Sequence, residues 1–384
     1  MIAKPIQDVT QNPIAKSLTS GMHYHEVQQT AVGNVEVIDF FSGCGGTSAG
    51  LRAAGMRIVA GIDMDPEAAE TFRANFPEAG FICRDIRMIA TAELERFLPR
   101  ERTSPVLFSA CAPCQPFSKQ NRGRGKRDER ASLLTEFHRF VRRFRPEYIF
   151  LENVPGIQRI KTKKGPIGHF LKFLKELGYD AACDVIDFLD YGVPQTRRRL
   201  VVAASLMGPV QLPKRTHGLE AGRPHATVWE WIGDLPPISA GSEHPEIPNH
   251  RAAALSPLNR KRIASTPEGG DRRDWPEELL LPCHKGHEGH TDVYGRLNRH
   301  HPASTLTTRC VSLSNGRFGH PTQDRALSVR EAACLQTFPR DFIFKGSLNG
   351  MAMQIGNAVP VLLAQRFGEE INEHVRASLP TLTV

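Results

Sequence analysis

The 384-residue chain lacks any apolar run long enough to cross a bilayer, which argues against an integral membrane protein built on helical spans. Its first stretch, "MIAKPIQDVTQNPIAKSLTS", carries lysines but no apolar core of the kind a secretory leader needs, so a cytoplasmic location is the default. Cysteine is sparse: eight residues are scattered without a repeated spacing, which fits reduced thiols and a reducing compartment better than a disulfide framework. Internal repeats and low-complexity tracts are absent too. With 40% hydrophobic residues, what is left is a soluble globular chain of about two or three domain-sized units, able to bury a core.

What is present begins with charge. Lys and Arg total 49 against 41 Asp and Glu, a net +8 that is unevenly spread. Lys119, Arg122, Arg124, Lys126, Arg127 and Arg130 crowd one segment against only Asp128 and Glu129, a local excess that attracts phosphates. The bland alternative for such a run is a solvated loop. The neighbouring "ACAPCQPFS" favours a functional reading, because Pro113 and Pro116 bracket Cys114 just past an apolar segment, where a strand has ended and the backbone is rigid. An inert structural cysteine would sit inside the apolar run.

Residues 1–34 are polar and unpatterned and read as an N-terminal arm. Strand and helix patterns then alternate. "VEVIDFF" leads through a glycine turn into "TSAGLRAAG", "RIVAGID" into "PEAAETFRANF", and "GFICRDI" follows. "PVLFSA" runs into the Cys114 loop, "SLLTEFHRFVRRF" sets Leu133, Leu134, Phe137, Val141 and Phe144 on one helical face, and "YIFL" ends at Glu152. Such alternation predicts an α/β, doubly wound, mostly parallel Rossmann-like sheet, with ligands gathered at the carboxyl ends of its strands. The glycine turn, Asp63, Asp85, Cys114 and Glu152 all fall at such ends. From about residue 206 the texture turns rich in proline, glycine and histidine, which predicts a second, loop-rich domain. The expected division is an arm over 1–34, a catalytic cofactor-binding domain over 35–206 completed by 347–384, and a smaller domain over 207–346.

Gly43, Gly45 and Gly46 permit a tight turn and close approach of backbone to ligand, and Asp63 follows about twenty residues later, where an acid accepts from ribose hydroxyls. A nucleoside-containing cofactor is implied. Ser48 stands where a dinucleotide fingerprint would have its last glycine, which weakens a nicotinamide cofactor.

Six motifs then occur in order: "DFFSGCGG", "PCQPFS", "ENV", "QTRRR", "RALSVREAACLQTFP" and "IGNAVP". By these, over residues 35 to about 365, the chain resembles the bacterial DNA (cytosine-5) methyltransferases. The resemblance implies an S-adenosylmethionine-dependent methyltransferase fold, with the loop-rich domain recognising the target. It assigns Phe41, Gly43, Gly45 and Gly46 to the methionine end of S-adenosylmethionine, Asp63 to its ribose, Asp85 and Ile86 to its adenine, and Asn357 to closing the pocket. Many relatives have an aromatic after the ribose acid; here Met64 would cover the adenine through its polarizable sulfur.

The implied catalytic set is Cys114, Glu152, Arg197 and Arg199. Carbon 5 of cytosine is a poor nucleophile until something adds to C6, and a thiolate can do so although a free thiol titrates near ~8.5. A carboxyl held partly protonated by burial, Glu152, would relieve charge at N3, with Asn153 and Val154 shaping the turn that aims it. Arg197 and Arg199 would reach the extruded nucleotide, one at O2 and the other orienting the glutamate or a phosphate. Extrusion costs on the order of a few kcal/mol, which contacts from the basic segment to phosphates would offset.

The expected partner is double-stranded DNA, with no membrane, no metal, a nucleoid-associated cytoplasmic monomer, and a companion restriction endonuclease left open. Alternatives are a tRNA cytosine-5 methyltransferase, disfavoured by the absence of a Cys-Phe-Thr tripeptide, and a redox protein using Cys111 and Cys114. Cys283, His284, His287 and His290 offer a zinc-like run without a matched second pair. Specificity is expected between about Pro209 and Asp324, where Thr305-Leu306 resembles the family's target-domain signature.

Overall fold

Apolar, β-branched runs make the strands Glu36–Phe40 (β1), Arg57–Asp63 (β2), Gly80–Cys83 (β3), Val106–Ala110 (β4) and Tyr148–Asn153 (β5), all mutually parallel in the computed structural model. The structure describes residues 35–98, 101–112, 131–155, 165–284, 289 and 291–378. Helices Gly46–Ala53 (α1), Pro66–Asn75 (α2), Ala131–Phe144 (α3) and Pro166–Glu176 (α4) alternate with the strands. The start of α2 is written in the sequence: Asp65 accepts from the amides of Glu67 (2.9 Å) and Ala68 (3.3 Å), and Pro66 takes the first helical position, where its missing N–H is no loss.

Beyond α4 come Asp180–Asp187 (β6), the short Gln195–Thr196 (β7) and Arg198–Ser205 (β8), giving a seven-stranded sheet in the order β3-β2-β1-β4-β5-β8-β6. Strand β8 runs antiparallel to both β5 and β6. The link from Asp187 to Arg198 is too short for a crossover helix, so the chain returns beside β6 in the opposite sense. The expected mostly parallel, doubly wound sheet is present, and this one reversal matters for the site.

Both faces of the sheet are covered, so alternate residues of each strand enter separate cores. Val37, Leu107, Phe150 and Val201 join one cluster, and Ile38, Phe108, Leu151 and Val202 the other. The second core is sealed by α3 and α4 through Phe137, Phe140, Val141 and Phe170. Of the helical face expected in α3, Leu134, Phe137, Val141 and Phe144 are buried and Leu133 is half-buried. Each such large apolar side chain contributes on the order of 2 kcal/mol by leaving water.

Among the described residues between β8 and residue 347 regular structure is brief: helices Val228–Ile232 (α5) and Pro257–Ala264 (α6), a strand Ala303–Ser304 (β9) parallel to β7, and helix Val329–Leu335 (α7). Here buried arginines satisfy the backbone. Arg296 donates to the carbonyls of Thr266 (2.8 Å), His320 (3.0 Å) and Gln323 (2.9 Å), and Arg330 to those of Pro248, Pro339 and Phe342. Arg325 grips Glu331 with two 2.7 Å hydrogen bonds and also donates to the carbonyls of Ile238 and Ala326.

The chain then returns as Leu348–Asn357 (α8) and Val361–Ser378 (α9). Helix α9 lies against α1 where Gly50 faces the Val361 carbonyl and Ala364, an approach that any Cβ at position 50 would block. Among the described residues no helix is long and apolar enough to cross a membrane.

Candidate active site

The sheet order reverses between β1 and β4, and a crevice at that switch point is the expected ligand site. A cavity of about 410 Å³ opens there, at the carboxyl ends of β1, β2, β4 and β5. Because β8 is antiparallel, its first residues lie at the same edge: Leu200 pairs with Asn153 and Val201 with Glu152. The reversal thus carries Arg197 and Arg199 to the cavity, which both line together with Glu152.

The glycine turn forms one wall. Phe41, Gly43 and Gly45 have positive φ (58°, 52° and 95°), and for Phe41 this is a strained conformation of the sort that persists where a site demands it. Phe41, Gly43 and Gly46 line the cavity; Gly45 does not, and faces Phe72 and Phe76 as the residue that opens α1. Asp63 accepts from the Gly43 amide (2.8 Å) on one oxygen and the Asp65 amide (3.0 Å) on the other. Burial raises its pKa while those amides oppose the rise, and each oxygen keeps lone-pair capacity for a further donor. Met64, Asp85, Ile86 and Asn357 complete the expected set on the lining. Met64 is 65% exposed, so its thioether is available at the mouth. Asp85 is gripped by Arg87, which holds its carboxyl below the usual range.

On the opposite wall Glu152 is buried, its Oε1 3.1 Å from Arg199 Nε in an ion pair. Asn153 donates to the Ala112 carbonyl (3.2 Å) and accepts from the Val154 amide (2.8 Å), fixing the turn after β5. Arg197 is buried, with Nη1 on the carbonyls of Leu306 (3.3 Å) and Gly356 (3.1 Å); burial, then neighbouring Arg199, pull its pKa down. Ser42 Oγ, Arg197 Nε and Gln354 Oε1 are buried polar atoms with no hydrogen-bond partner among the described residues, and all three residues line this cavity. Such atoms are costly unless a ligand or solvent meets them.

Cys111 also lines the cavity, 3.6 Å from Thr47 Oγ1. Burial, then the carboxylates of Glu152 and Asp39, raise its thiol well above the ordinary range, which keeps it protonated and works against the C-x-x-C redox alternative. Cys114, the basic segment 119–130, residues 1–34, His287 and His290 lie outside the described residues.

Over residues 35–373 the sequence matches the family of C-5 cytosine-specific DNA methylases. The chain belongs to that family. This DNA cytosine-5 methyltransferase is 38% identical to the Type II methylase M.HgiDII of Herpetosiphon aurantiacus, over 89% of its own length and 98% of that protein's. It is 33% identical to the Type II methyltransferase M1.HphI of Haemophilus parahaemolyticus, over 87% and 86%. In fold it is similar to a candidate DNA modification methyltransferase encoded within an Escherichia coli prophage, with a TM-score of 0.69 and 22% identity over 89% of this chain and all of that one.

For several residues in and behind the methyltransferase's site, the sequence reading assigned no role. Asp39, fully buried in β1, accepts from Ser48 (2.7 Å) and Ser109, and burial lifts it to about 6 against those donors. Ser48, which stands where a dinucleotide fingerprint has glycine, is therefore the donor to a buried acid. Ser42 reaches the cavity from the glycine turn, Thr47 from α1 and Gln354 from α8.

Proposed function

We propose that this methyltransferase takes its methyl group from S-adenosylmethionine held in the cavity and delivers it to C5 of a cytosine swung out of duplex DNA, with Cys114 as the nucleophile. One observation carries the reading: a single cavity joins the glycine turn and Asp63 to Glu152, Arg197 and Arg199, with three buried polar atoms, Ser42 Oγ, Arg197 Nε and Gln354 Oε1, still unpartnered. The fit to a nucleoside cofactor rests on the same lining. Asp63 has acceptor capacity for ribose hydroxyls, the glycine turn exposes backbone, Met64 and Ile86 offer apolar surface, and the volume suits a ligand of this size. S-adenosylmethionine, when bound, supplies an electrophilic methyl on a sulfonium.

The chain's own residues do the rest. Cys114 adds as thiolate to C6, which places electron density on C5. Glu152, aimed by the Asn153 turn and paired with Arg199, holds a proton or hydrogen bond at N3. Arg197, with Nη1 committed to two carbonyls, keeps Nε for the base. After methyl transfer the C5 proton leaves to a base and the Cys114 bond to C6 breaks, restoring the ring. The relatives' names support a Type II modification role. In this reading residues 35–206, completed by 347–384, form the catalytic unit, and the segment 207–346 reads the target sequence.

The test is a duplex carrying 5-fluorocytosine at the methylated position, which blocks loss of the C5 substituent. With S-adenosylmethionine, the wild type should form a lasting protein-DNA crosslink. The Cys114→Ser variant should form none while still binding cofactor; a crosslink in that variant would refute the nucleophile.

A further inference from the structure

Two fully buried glutamines lie behind the cavity wall, and every polar atom of their side chains is engaged. Gln195 Nε2 donates to the Leu335 carbonyl (3.0 Å) and to Gln336 Oε1 (2.6 Å), and its Oε1 accepts from the Leu306 amide (3.2 Å). Gln336 Nε2 donates to the carbonyls of Ile355 (2.5 Å) and Ala358 (3.2 Å). Because carbonyls lie on one side and an amide on the other, only one orientation of each side-chain amide satisfies the set.

The bonds close into a ring. Ile355 and Ala358 flank Gly356 and Asn357, which line the cavity. The Gly356 carbonyl accepts from Arg197 Nη1, which also donates to the Leu306 carbonyl, and Leu306 N–H returns to Gln195. Gly356 in turn faces Thr307 and Thr308 so closely that a Cβ there would strike their backbone. The end of α8, the arginine and the Thr305–Arg309 loop therefore cannot shift independently without breaking a buried hydrogen bond, which is expensive away from water.

We propose that Gln195 and Gln336 are positioning residues that couple cofactor occupancy to the setting of Arg197 and the Thr305–Arg309 loop, so that each ligand tightens the other. The inference rests on the proposed reading of the cavity. A ligand pressing on Gly356 and Asn357 fixes the carbonyls that Gln336 and Arg197 hold, and the pair passes that constraint to Leu306.

The experiment uses the full chain, S-adenosylhomocysteine as unreactive cofactor, and a duplex bearing the methylated sequence. The ratio of S-adenosylhomocysteine dissociation constants without and with saturating DNA is measured by calorimetry. The wild type should show a ratio of about tenfold, within the usual range of such couplings. In Gln336→Met and in Gln195→Met it should fall to within about twofold of unity. A purely structural role would weaken binding with and without DNA alike and leave the ratio intact, and an intact ratio in a folded variant overturns the proposal. Should both variants fail to fold, the wild type suffices: S-adenosylhomocysteine should slow exchange of the Leu306 amide about tenfold, and an unchanged rate overturns the proposal equally. Failure of the wild type to bind S-adenosylhomocysteine at all would instead sink the reading of the cavity.

Discussion

The sheet and the loop-rich segment of this methyltransferase solve the same problem, the satisfaction of buried backbone, by different means. In the sheet each strand's N–H and C=O groups meet a neighbouring strand, and alternate side chains fill two apolar cores. Among the described residues of 206–347, where ladders are almost absent, long guanidinium side chains reach carbonyls tens of positions away, as Arg296 reaches Thr266 and Arg325 reaches Ile238. The lesson is that arginine in this segment serves as internal frame, so counting its positive charges overstates the surface available to phosphate.

The sharpest way to break that comparison is to remove Glu331, buried beneath Arg325. Glu331→Ala should cost about 3–5 kcal/mol in denaturant unfolding, because it strands a guanidinium away from water. The pair replacement Arg325→Met with Glu331→Leu should recover only part of that, since the Ile238 and Ala326 carbonyls lose their donor. Full recovery would mean the arginine holds only its ion pair. In the sheet, Leu151→Ala should cost about 2–5 kcal/mol through its cavity, with no polar group left behind.

The two regions should also answer pH with opposite sign. Burial raises Asp39 from 3.8 to about 6, so the folded state binds the extra proton and stability falls as pH rises through that window. Burial lowers His320 from 6.5 to about 4, so the unfolded state binds the extra proton and stability falls as pH drops through that window. Asp39→Asn should flatten the first slope and His320→Gln the second, read from unfolding midpoints between pH 4 and 7. A shared sign would contradict the assignments. The smallest expected effect is Met64→Ala, which should leave stability within about 0.5 kcal/mol while weakening S-adenosylmethionine binding about threefold to tenfold by calorimetry.

The same contrast explains what could be read in advance. Strand ends announced themselves through local pattern, so Asp63, Asp85 and Glu152 could be placed on one edge from the alternation of apolar runs and breakers. The apolar face of α3 was equally local. The convergence of Arg197 with Glu152 was available only through the family motif, because it depends on β8 reversing direction. Gln195, Gln336 and Asp39 lie within the family motifs, but what their side chains do could not be read because it depends on partners brought together only by the fold. The loop-rich segment could be recognised as irregular from its prolines and glycines, but the arginine network that orders it depends on long-range contacts.

The most direct test of the central claim, that Glu152 and the cofactor wall act on one cytosine in this one cavity, is nucleoside analysis of duplex DNA incubated with methyl-labelled S-adenosylmethionine. The account predicts label in 5-methylcytosine with the wild type and a loss of about a hundredfold or more in rate with Glu152→Gln, cofactor binding being retained. Label in any other nucleoside, or an undiminished rate in the variant, would contradict it.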